Sequence, residues 1–427
     1  MRVLHLNSHE SIGGAAVAAR RLHLGLLGAG VDSRLAVAAR ENDTPNTQLV
    51  GGAFSRRIAR PLTALLERRL PAVCHGRPEH PAYTTFSFLP SLRHARINAL
   101  SRDILHLHWV AEGFISPWAL GRLRGPAIWT MHDTWPFTGG CHWLNGCEQY
   151  RRSCGQCPEL CSTRPGDLSR WHWKLKRAAI RRLNPVMVSP GSAYADCARQ
   201  SGMLAGCRTV HIPNGIDTRL FRPIAKEVAR DLLGLPQDGP LVLFGAMGAT
   251  SDHNKGFDLL SEALGHVRAG GLEAVRCVVF GASSGATDAL PYPACFLGRL
   301  HDDISLALAY SAADLFVCPS RQENLPNTVL ESLACGTPVV AFAVGGIPDM
   351  VEHGVTGYLA APYDPRDLAR GIALLLGDTT LRQRMGDAGR EKIERQFALS
   401  LVVGRYMALY EGVRREHAAR AAARRQA

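Results

Sequence analysis

The chain has 427 residues, of which 46% are hydrophobic and 20% are charged, and this balance is typical of a soluble globular protein with two or three domains. No apolar run approaches the ~18 residues of a membrane helix, and the N-terminal stretch "MRVLHLNSHESIGG" turns polar too early for a signal peptide. We therefore expect a cytoplasmic protein. The net charge of +12 permits anionic partners, but the basic residues form no basic-aromatic repeat, so nucleic acid is not expected as a partner.

The first forty residues predict a strand, a glycine turn, a helix and a second strand. "RVLHLNS" is a short apolar run, "IGGAA" interrupts it, "AAVAARRLHLGLLGAG" has helical periodicity, and "DSRLAVAA" reads as a strand again. This βαβ order predicts a parallel sheet with crossover helices. Four further strand-like runs follow before residue 220: "DILHLHWV", "PAIWTMHD", "VMVSPGS" and "RTVHIPNGID".

A second α/β series begins after a polar, proline-containing stretch that ends near Gln237. Its predicted strands are "PLVLFGA", "AVRCVVFGA", "ACFLGRL", "ADLFVCPS", "PVVAFAV" and "GYLAAP", with helical segments between most of them. The sequence thus predicts one domain over residues 1–220, a second over 221–397, and a helix with a basic tail over 398–427. The simplest interpretation of that Ala/Arg-rich tail is a frayed, solvated helix end.

The stretch "SRQENLPNTVLESLACGTPVVAF" carries two glutamates, Glu323 and Glu331, after a predicted strand. Ligands of open parallel sheets bind at the carboxyl ends of the strands, and a proline suits the first turn of a helix. We therefore expect Glu323 in a loop and Glu331 on the second turn of a helix that begins near Pro326. Backbone amides at such a helix start favour an anion, so a nucleotide-sugar fits; two ordinary surface glutamates are the alternative from spacing alone.

Five motifs in this order resemble glycosyltransferase family 4. They are "SIGGAAVAARRL", "HIPNGIDTRLF", "NKGFDLLSEAL", "RLHDDISLALAYSAADLFVCPSRQEN" and the glutamate stretch, while "LHWV" and "TMHDTWPFTGGCHW" resemble the exopolysaccharide, O-antigen and colanic-acid-type branch. The resemblance covers almost the whole chain. It implies the α/β GT-B fold, in which two Rossmann-like, doubly wound domains face a central cleft and the last helix crosses back to the first domain. Residues 1–220 would be the acceptor-side domain and 221–397 the donor domain.

The resemblance also implies roles for single residues on the donor side. Glu331 would bind the donor ribose, Glu323 the donor sugar, and Lys255 in "HNKGFD" the diphosphate, where a cation stabilises the leaving group. The remaining donor-binding positions would be Gly13, Gly14, Gly298, Arg299, Asn324 and Leu325. Many family members carry an arginine shortly before the lysine, where this chain has Ala246; His253 or Arg299 could replace that charge.

On the acceptor side, the resemblance places His132 beside the donor sugar and Asp133 near the acceptor or a neighbouring side chain. Histidine can donate to a sugar hydroxyl, although each residue viewed alone could equally be a satisfied structural polar group. The family retains anomeric configuration, so the acceptor hydroxyl would attack on the front face and the leaving phosphate would take its proton. No catalytic metal is implied, and a hydrolase with paired acid and base carboxylates is disfavoured.

Five of the twelve cysteines lie between residues 141 and 161, in "CHWLNGCEQYRRSCGQCPELC". A long loop with one CxxC pair and little apolar content predicts a structural zinc site within an insertion over residues 138–162. The expected ligands are Cys141, Cys147, Cys154 and Cys157, with His142 or Cys161 as substitutes; free thiols or a disulfide are the alternatives. The seven other cysteines are expected to be small buried hydrophobic residues.

Two basic segments, "RWHWKLKRAAIRR" and "SRRIARPLTALLERRL", could contact an anionic membrane from the cytoplasmic side, although amphipathic helices packed on their own domain are the simpler interpretation. We therefore expect a nucleotide-sugar donor, a glycan or lipid-linked glycan acceptor, and peripheral attachment as an open possibility. A GT-B enzyme such as a nucleotide-sugar epimerase is one alternative. A non-enzymatic zinc-containing binder of nucleic acid or another polyanion is the second, and it leaves the ordered motifs unexplained.

Overall fold

The computed structural model of the chain describes residues 1–51, 61–63, 65–67, 69, 83–88, 93–282 and 290–426. The chain divides into two compact units. The first unit contains Met1–Pro213 together with Val402–Ala427, and the second contains Asn214–Leu401. The C-terminal segment therefore belongs to the same unit as the N-terminus.

The first unit is built on a parallel sheet in the strand order β3-β2-β1-β4-β5-β6-β7. Its strands are β1 Arg2–His9, β2 Asp32–Ala39, β3 Thr47–Leu49, β4 Ile104–Leu107, β5 Ala127–Thr130, β6 Val186–Ser189 and β7 Thr209–His211. Its helices are α1 Gly14–Gly28, α2 Arg93–Ala99, α3 Pro117–Leu120, α4 Leu168–Leu183 and α5 Ser192–Gln200. The short strand β3 was not predicted from the sequence, because its three residues are too few for a periodic signal.

The central strands of this sheet are buried on both faces, which is why they appear as short continuous apolar runs. Strands β4, β5 and β6 are buried at every position. The strand order reverses between β1 and β4, which pair in parallel with His5 opposite His106. Ligands of such sheets bind beyond the carboxyl ends of the strands at a reversal point, and the loops after β1, β4 and β5 meet there.

The second unit has a parallel sheet in the order β10-β9-β8-β11-β12-β13. Its strands are β8 Leu241–Gly245, β9 Arg276–Phe280, β10 Ala294–Gly298, β11 Leu315–Cys318, β12 Val339–Phe342 and β13 Gly357–Ala360. Its helices are α6 Lys226–Leu232, α7 Phe257–Ala269, α8 Asp303–Ala312, α9 Asn327–Ala334, α10 Ile347–Met350, α11 Pro365–Gly377 and α12 Thr379–Gln396. Here the order reverses between β8 and β11, so the loops that follow these two strands are neighbours.

The last helix, α13 Leu399–Gln426, continues through the basic segment that the sequence predicted as a tail. From Val402 onward it belongs to the first unit. Tyr406 and Tyr410 are buried against that unit's sheet, where Tyr410 Oη lies 2.8 Å from His106 Nδ1 and Tyr406 Oη lies 3.0 Å from Thr130 Oγ1. Among the described residues, no helix combines the length and the hydropathy needed to cross a bilayer.

Candidate functional site

In the second unit, the reversal of strand order brings Lys255 and Glu323 together. Lys255 lies in the loop after β8, in a single 3₁₀ turn over His253–Lys255, and Glu323 lies in the loop after β11. Lys255 Nζ is 2.7 Å from Glu323 Oε1, and the side chains are only 19% and 9% exposed. Burial works against the ammonium charge, but the adjacent Glu323 carboxylate outweighs it and raises the pKa of Lys255 above its usual range. Lys255 is therefore a charged cation at neutral pH.

Three further contacts hold the lysine loop against the glutamate loop. The Asn254 side chain donates to the backbone oxygen of Gln322 at 2.9 Å, and the Arg321 amide donates to Asn254 O at 2.8 Å. The Arg321 guanidinium forks onto both carboxylate oxygens of Asp258 in α7, at 2.9 and 2.6 Å. A bidentate arginine–carboxylate pair fixes orientation as well as distance. These contacts therefore hold the lysine loop and the glutamate loop in a fixed arrangement around Lys255.

Glycines permit close backbone approaches on both sides of this pair. Gly256 has φ +69°, and a Cβ there would lie 2.0 Å from Pro319 O. Gly345, in the loop after β12, has φ +54°, and a Cβ there would lie 1.7 Å from Glu323 O. Both positions combine a left-handed backbone with no room for a side chain.

Glu331 lies on the second turn of α9, whose N-cap is Pro326, as expected from the sequence. Its side chain is buried, and its Oε2 accepts a hydrogen bond from Tyr310 Oη at 2.9 Å. Asn324 and Leu325 are also buried beside the start of α9. The Asn214 side chain, from the "PNGID" stretch, donates to Leu325 O and Asn327 Oδ1 at 3.3 Å each. The residues that follow Glu323 thus include a buried side-chain amide (Asn324), the N-terminus of α9 and a buried carboxylate (Glu331).

The other predicted donor residues of this unit lie at strand ends. Gly298 ends β10 with φ +64°, and its oxygen accepts from the Gly281 amide at 2.7 Å. Arg299 is exposed beside it. Ala246 follows β8, where its oxygen would lie 1.9 Å from a Cβ on Gly281. Whether His253 or Arg299 replaces the missing family arginine stays a prediction.

In the first unit, Asp133 is the acceptor at the centre of a buried network. It accepts from Trp109 Nε1 at 2.9 Å, His142 Nδ1 at 2.6 Å and the Trp135 amide at 2.9 Å. Burial opposes the carboxylate charge, but His142 and these hydrogen bonds outweigh it and lower the pKa of Asp133. His142 Nε2 lies 2.9 Å from Thr85 Oγ1. Asp133 is therefore an ionised residue that orients its neighbours.

His132 ends a chain of three hydrogen-bonded imidazoles. His5 Nδ1 lies 3.0 Å from His108 Nε2, and His108 Nδ1 lies 3.0 Å from His132 Nε2. His5 and His108 are buried, whereas His132 is partly exposed. Burial lowers the pKa of His132 to about 4, although the Asp133 charge acts in the opposite direction. His132 is thus a neutral imidazole at neutral pH, and its Nε2 is engaged in the hydrogen bond with His108.

His5, His106 and His108 form the one group among the described residues whose ligand atoms lie within 4.8 Å of one another, as a metal ion would require. Both nitrogens of His106 are engaged, by Tyr410 at 2.8 Å and Thr130 at 2.8 Å. The rings pack against one another at a tilt, with the centroids of His106 and His108 4.1 Å apart and their planes at 34°. These contacts indicate a hydrogen-bonded ring stack rather than ligands converging on an ion.

Gly13 and Gly14 begin α1, where Gly13 is the N-cap with φ +94°. The preceding loop is held by two glutamates that the sequence analysis did not single out. Glu10 is buried and accepts from the amides of Glu41, Asn42 and Thr44 at 2.8–3.0 Å. Glu41 accepts in turn from the amides of Glu10 and Ser11. These reciprocal bonds fix the loops after β1 and β2 beside the predicted glycine site.

The cysteine loop lies beside the hydrogen-bond network of Asp133. Cys141, Cys147, Cys154 and Cys157 line one small cavity, while Cys161 is exposed. Of the other cysteines, three are buried (Cys277, Cys318 and Cys335) and three are half-buried (Cys197, Cys207 and Cys295), so the expectation of buried thiols holds for half of them. Cys74 lies outside the described residues.

Several of these functional positions carry no signal in the sequence. Tyr310, Arg321 and the histidines of the chain act through partners distant in sequence, such as Tyr310 with Glu331. The order "LHLN" followed by "LHLHW" was available as a clue, because alternate residues of neighbouring parallel strands share one face of a sheet. Lys176, a fully buried lysine, could not be told from the other basic residues of α4.

Comparison with known families identifies the class of protein to which these two parallel-sheet α/β units belong. Residues 12–220 match the family described as Glycosyltransferase Family 4, and residues 241–378 match Glycosyl transferases group 1. A D-inositol 3-phosphate glycosyltransferase of Xylanimonas cellulosilytica is 30% identical over 69% of this chain and 68% of that protein. A phosphatidyl-myo-inositol mannosyltransferase of Mycobacterium leprae is 29% identical over 73% and 74%. This chain belongs to the group 1/family 4 glycosyltransferases.

Solved structures support the same fold. Sucrose-phosphate synthase from Thermosynechococcus elongatus superimposes with a TM-score of 0.68 at 21% identity, covering 97% of this chain and 99% of that one. HepE from Anabaena, in complex with UDP and glucose, superimposes with a TM-score of 0.65 at 18% identity, covering 96% and 100%. At these identities the likeness shows the GT-B fold, which confirms the fold class predicted from the sequence.

Proposed function

We propose that this glycosyltransferase moves a sugar, with retention of configuration, from a nucleotide-sugar donor to a glycan or lipid-linked glycan acceptor in surface polysaccharide assembly. The observation that carries the donor assignment is the buried Lys255–Glu323 ion pair next to the helix that presents Glu331. A buried cation held in place by a carboxylate is a ready partner for a diphosphate, because it needs no reorganisation when negative charge develops.

Each group then has a chemical task in this proposal. Lys255 stabilises the leaving diphosphate, Glu331 accepts from the ribose hydroxyls, and Glu323 accepts from the donor sugar. In the second unit, the amides of Asn324 and Leu325, together with Gly298 and Arg299, contact the nucleotide. In the first unit, Gly13 and Gly14 are the remaining proposed donor-binding positions. In the first unit, neutral His132 donates to a sugar hydroxyl and Asp133 orients the acceptor side. The leaving phosphate takes the acceptor's proton, so the proposal includes no catalytic metal. The structural zinc expected from the sequence at Cys141, Cys147, Cys154 and Cys157 stays a prediction, because no three of these sulfurs are among the described ligand atoms that lie within 4.8 Å of one another.

The acceptor class is the point on which the relatives and the sequence motifs differ. The motifs "LHWV" and "TMHDTWPFTGGCHW" favour the exopolysaccharide, lipopolysaccharide or colanic-acid-type branch. The two relatives described above are named for inositol phosphate and phosphatidylinositol acceptors, so an inositol-containing acceptor is the second candidate. Parallel assays with D-inositol 3-phosphate and with lipid-linked glycan extracts separate the two, since only one acceptor class should yield product.

Peripheral attachment at the inner face of the plasma membrane is part of the proposal. In α4, Trp171 is 59% exposed whereas Trp173 is 4% exposed, so one tryptophan of the basic segment packs inside its unit and one is available to a bilayer. The second basic segment, residues 55–70, lies in part outside the described residues. If Trp171→Ala does not reduce sedimentation with anionic liposomes at low salt, α4 is not the contact.

The donor site is tested by thermal shift of the purified protein against UDP, GDP, ADP, TDP and their common sugar conjugates. A ligand that binds only the native state raises stability by about RT ln(1 + [L]/Kd). We expect one base class to raise the unfolding temperature and Glu331→Ala to abolish the shift. Glu323→Gln should retain nucleotide binding but lower turnover by roughly 100- to 1000-fold, the usual effect of losing one charge-stabilising contact.

Glu262→Ala is the matched control for both substitutions, because Glu262 is a glutamate of α7 that is 60% exposed. Its thermal shift and turnover should equal those of the wild type. Unchanged sugar transfer in both Glu331→Ala and Glu323→Gln would contradict the donor-site assignment.

A further inference from the structure

A large cavity lies at the amino ends of the strands in the first unit, and we call it the amino-edge cavity. Its volume is about 610 Å³, within the range of about 300–1,000 Å³ that is usual for small-molecule sites. Ala127, the first residue of β5, and Val186, the first residue of β6, line it. His132 and Asp133 instead follow the carboxyl end of β5, where ligands of parallel α/β sheets normally bind. The amino-edge cavity is therefore separate from the site described above.

Positive charge dominates the lining of this cavity. Its charged side chains are four arginines and one glutamate, namely Arg124, Arg182, Arg208, Arg420 and Glu416. The Glu416 carboxylate lies 2.8 Å from Arg208 and 4.0 Å from Arg420. The guanidinium groups of Arg124 and Arg182 form no ion pair or hydrogen bond with another described residue. Within the described residues, the single carboxylate therefore leaves most of the positive charge of the lining without a partner.

The fold by itself accounts for only one of these arginines. Arg182 lies in the last turn of α4, where a cation is favourable because the carboxyl end of a helix carries partial negative charge. Arg124 lies in the loop before β5, and Arg420 precedes the last turn of α13, so neither gains from a helix end. Like charges that line one concave surface repel one another, and they raise the local concentration of anions.

The walls of the cavity are held in place by contacts within the protein. The Arg124 amide donates to Asn98 Oδ1 at 3.1 Å, and the Arg124 oxygen accepts from the Arg102 guanidinium at 2.7 Å. Arg208, next to β7, donates to Glu416 of α13 at 2.8 Å. A cavity whose walls are already ordered binds its ligand at a smaller entropic cost.

The lining also defines the chemistry of a suitable ligand. Guanidinium groups pair with phosphate oxygens in a bidentate geometry, and an excess of arginines suits a group with two or more negative charges better than a single carboxylate. Four buried apolar side chains form other parts of the lining: Leu123, Leu183, Val186 and Val413. The cavity is larger than an inorganic phosphate requires, so it has room for an organic part beside these side chains.

We propose that the amino-edge cavity binds an organic phosphate, with its phosphate groups on Arg124, Arg182 and Arg420 and its less polar part against Leu183 and Val413. This ligand is additional to the nucleotide-sugar donor and the acceptor, and the proposal does not rest on the proposed function. The phosphate belongs either to a soluble compound or to a lipid headgroup, because both present the same chemistry to the arginines.

Binding of inorganic pyrophosphate to the full-length protein, measured by isothermal titration calorimetry, tests the site. Arg124→Gln/Arg182→Gln removes two guanidinium groups from the lining. Arg122→Gln/Arg181→Gln is the matched control, because these neighbouring arginines are exposed but do not line the cavity. We expect the control to bind pyrophosphate as the wild type does. The cavity variant should bind it at this site roughly 100-fold more weakly, since each hydrogen bond to a charged group is worth about tenfold or more. Equal binding by the two double variants would overturn the proposal.

A second pair of variants blocks the cavity without changing its charge. Ala421 of α13 lines the cavity, whereas Ala418 of the same helix is exposed and lies outside the lining. Ala421→Trp should abolish pyrophosphate binding at this site because the indole occupies the cavity, and Ala418→Trp should leave it unchanged. Wild-type affinity in Ala421→Trp would contradict binding inside the cavity. This pair also decides the question if the double arginine variant does not fold.

Vesicles separate the two sources of the phosphate. Both double arginine variants are sedimented with phosphatidylcholine vesicles that contain or lack phosphatidic acid, whose negative charge attracts basic residues. Weaker sedimentation of Arg124→Gln/Arg182→Gln than of its control identifies a lipid headgroup, whereas equal sedimentation identifies a soluble phosphate. The donor site is the same in both double variants, so its own affinity for pyrophosphate does not affect their comparison. Absence of nucleotide binding in the wild type would contradict the proposed function alone.

Discussion

At the scale of single residues, His132 is supported by histidines that the chain supplies from two other strands. His108 follows β4 and His5 belongs to β1, and the three rings are linked by two hydrogen bonds of 3.0 Å. A neutral imidazole carries one proton, so when His108 donates to His132 Nε2, the proton of His132 stays on Nδ1 and is available to donate. His108 therefore acts on His132 as a positioning residue.

Substitution of His108 should impair turnover more than binding. We expect His108→Asn to lower kcat up to roughly tenfold, because a typical net hydrogen bond is worth about 0.5–1.5 kcal/mol, and to leave KM for the donor nearly unchanged. Steady-state kinetics with the donor found by thermal shift measure this. His23→Asn is the control, since His23 is equally buried in the ring stack but bonds to Ser33 Oγ and Pro45 O. A similar loss of kcat in both variants would point to general destabilisation.

At the scale of elements, the glutamate loop depends on how closely two loops can approach. The Glu323 oxygen accepts from the Gly346 amide at 3.2 Å, and Gly345 packs directly against it. The loop is fixed from the other side by Asn254 and Arg321. The backbone of the Glu323 loop is therefore held in place by the loops after β8 and β12, and the Glu323 carboxylate is held by Lys255.

Two glycine substitutions separate backbone strain from crowding. Gly345→Ala adds a Cβ that would lie 1.7 Å from Glu323 O, whereas Gly354→Ala meets nothing within 4 Å; both glycines have positive φ. We expect Gly354→Ala to cost about 1–2 kcal/mol of unfolding free energy, the penalty of the left-handed conformation. Gly345→Ala should cost more and should abolish transfer, because Glu323 must move. Urea unfolding and activity assays measure the two effects.

Equal stability and activity of the two alanine variants would contradict this account of the loop. The sequence alone marked Glu323, Glu331 and Lys255 through a motif, but it could not show that Gly345 shapes the loop. That approach depends on the parallel pairing of β11 with β12, whose registers bring the loops after both strands side by side.

At the scale of the whole molecule, the first unit buries an unusual number of histidines. Burial is the main cause that lowers the pKa of His5, His23, His106, His108, His132 and His172. In the unfolded chain these side chains take up protons as the pH falls through about 6.5. The unfolded state then binds more protons than the native state, so stability present above this pH is lost as the pH falls.

Acidification should therefore unfold the first unit well before its carboxylates titrate. Each such histidine contributes up to about 1.4 kcal/mol per pH unit, so we expect the urea midpoint to fall steeply between about pH 6.5 and pH 5. All seven tryptophans lie in the first unit, so tryptophan fluorescence reports on it alone. A midpoint that stays constant from about pH 8 to pH 5 would contradict the burial of these rings as neutral groups.

By itself, the sequence determined the local secondary structure and the features that its motifs carry. Continuous apolar runs between helical segments predict two parallel α/β sheets, because strands buried on both faces need apolar residues at every position. The ordered motifs then predict the GT-B fold, which the structure confirms. The placement of Glu323 in a loop and Glu331 on a helix followed from Pro326.

Only the tertiary structure decided which residues meet. The Lys255–Glu323 pair, the Tyr310 bond to Glu331, the histidine chain behind His132 and the burial of Lys176 join residues 21 to 103 positions apart or remove a charge from water. The reason is physical: strand order and register bring side chains from different elements to one edge of a sheet. The linear sequence does not record the spatial order of the strands.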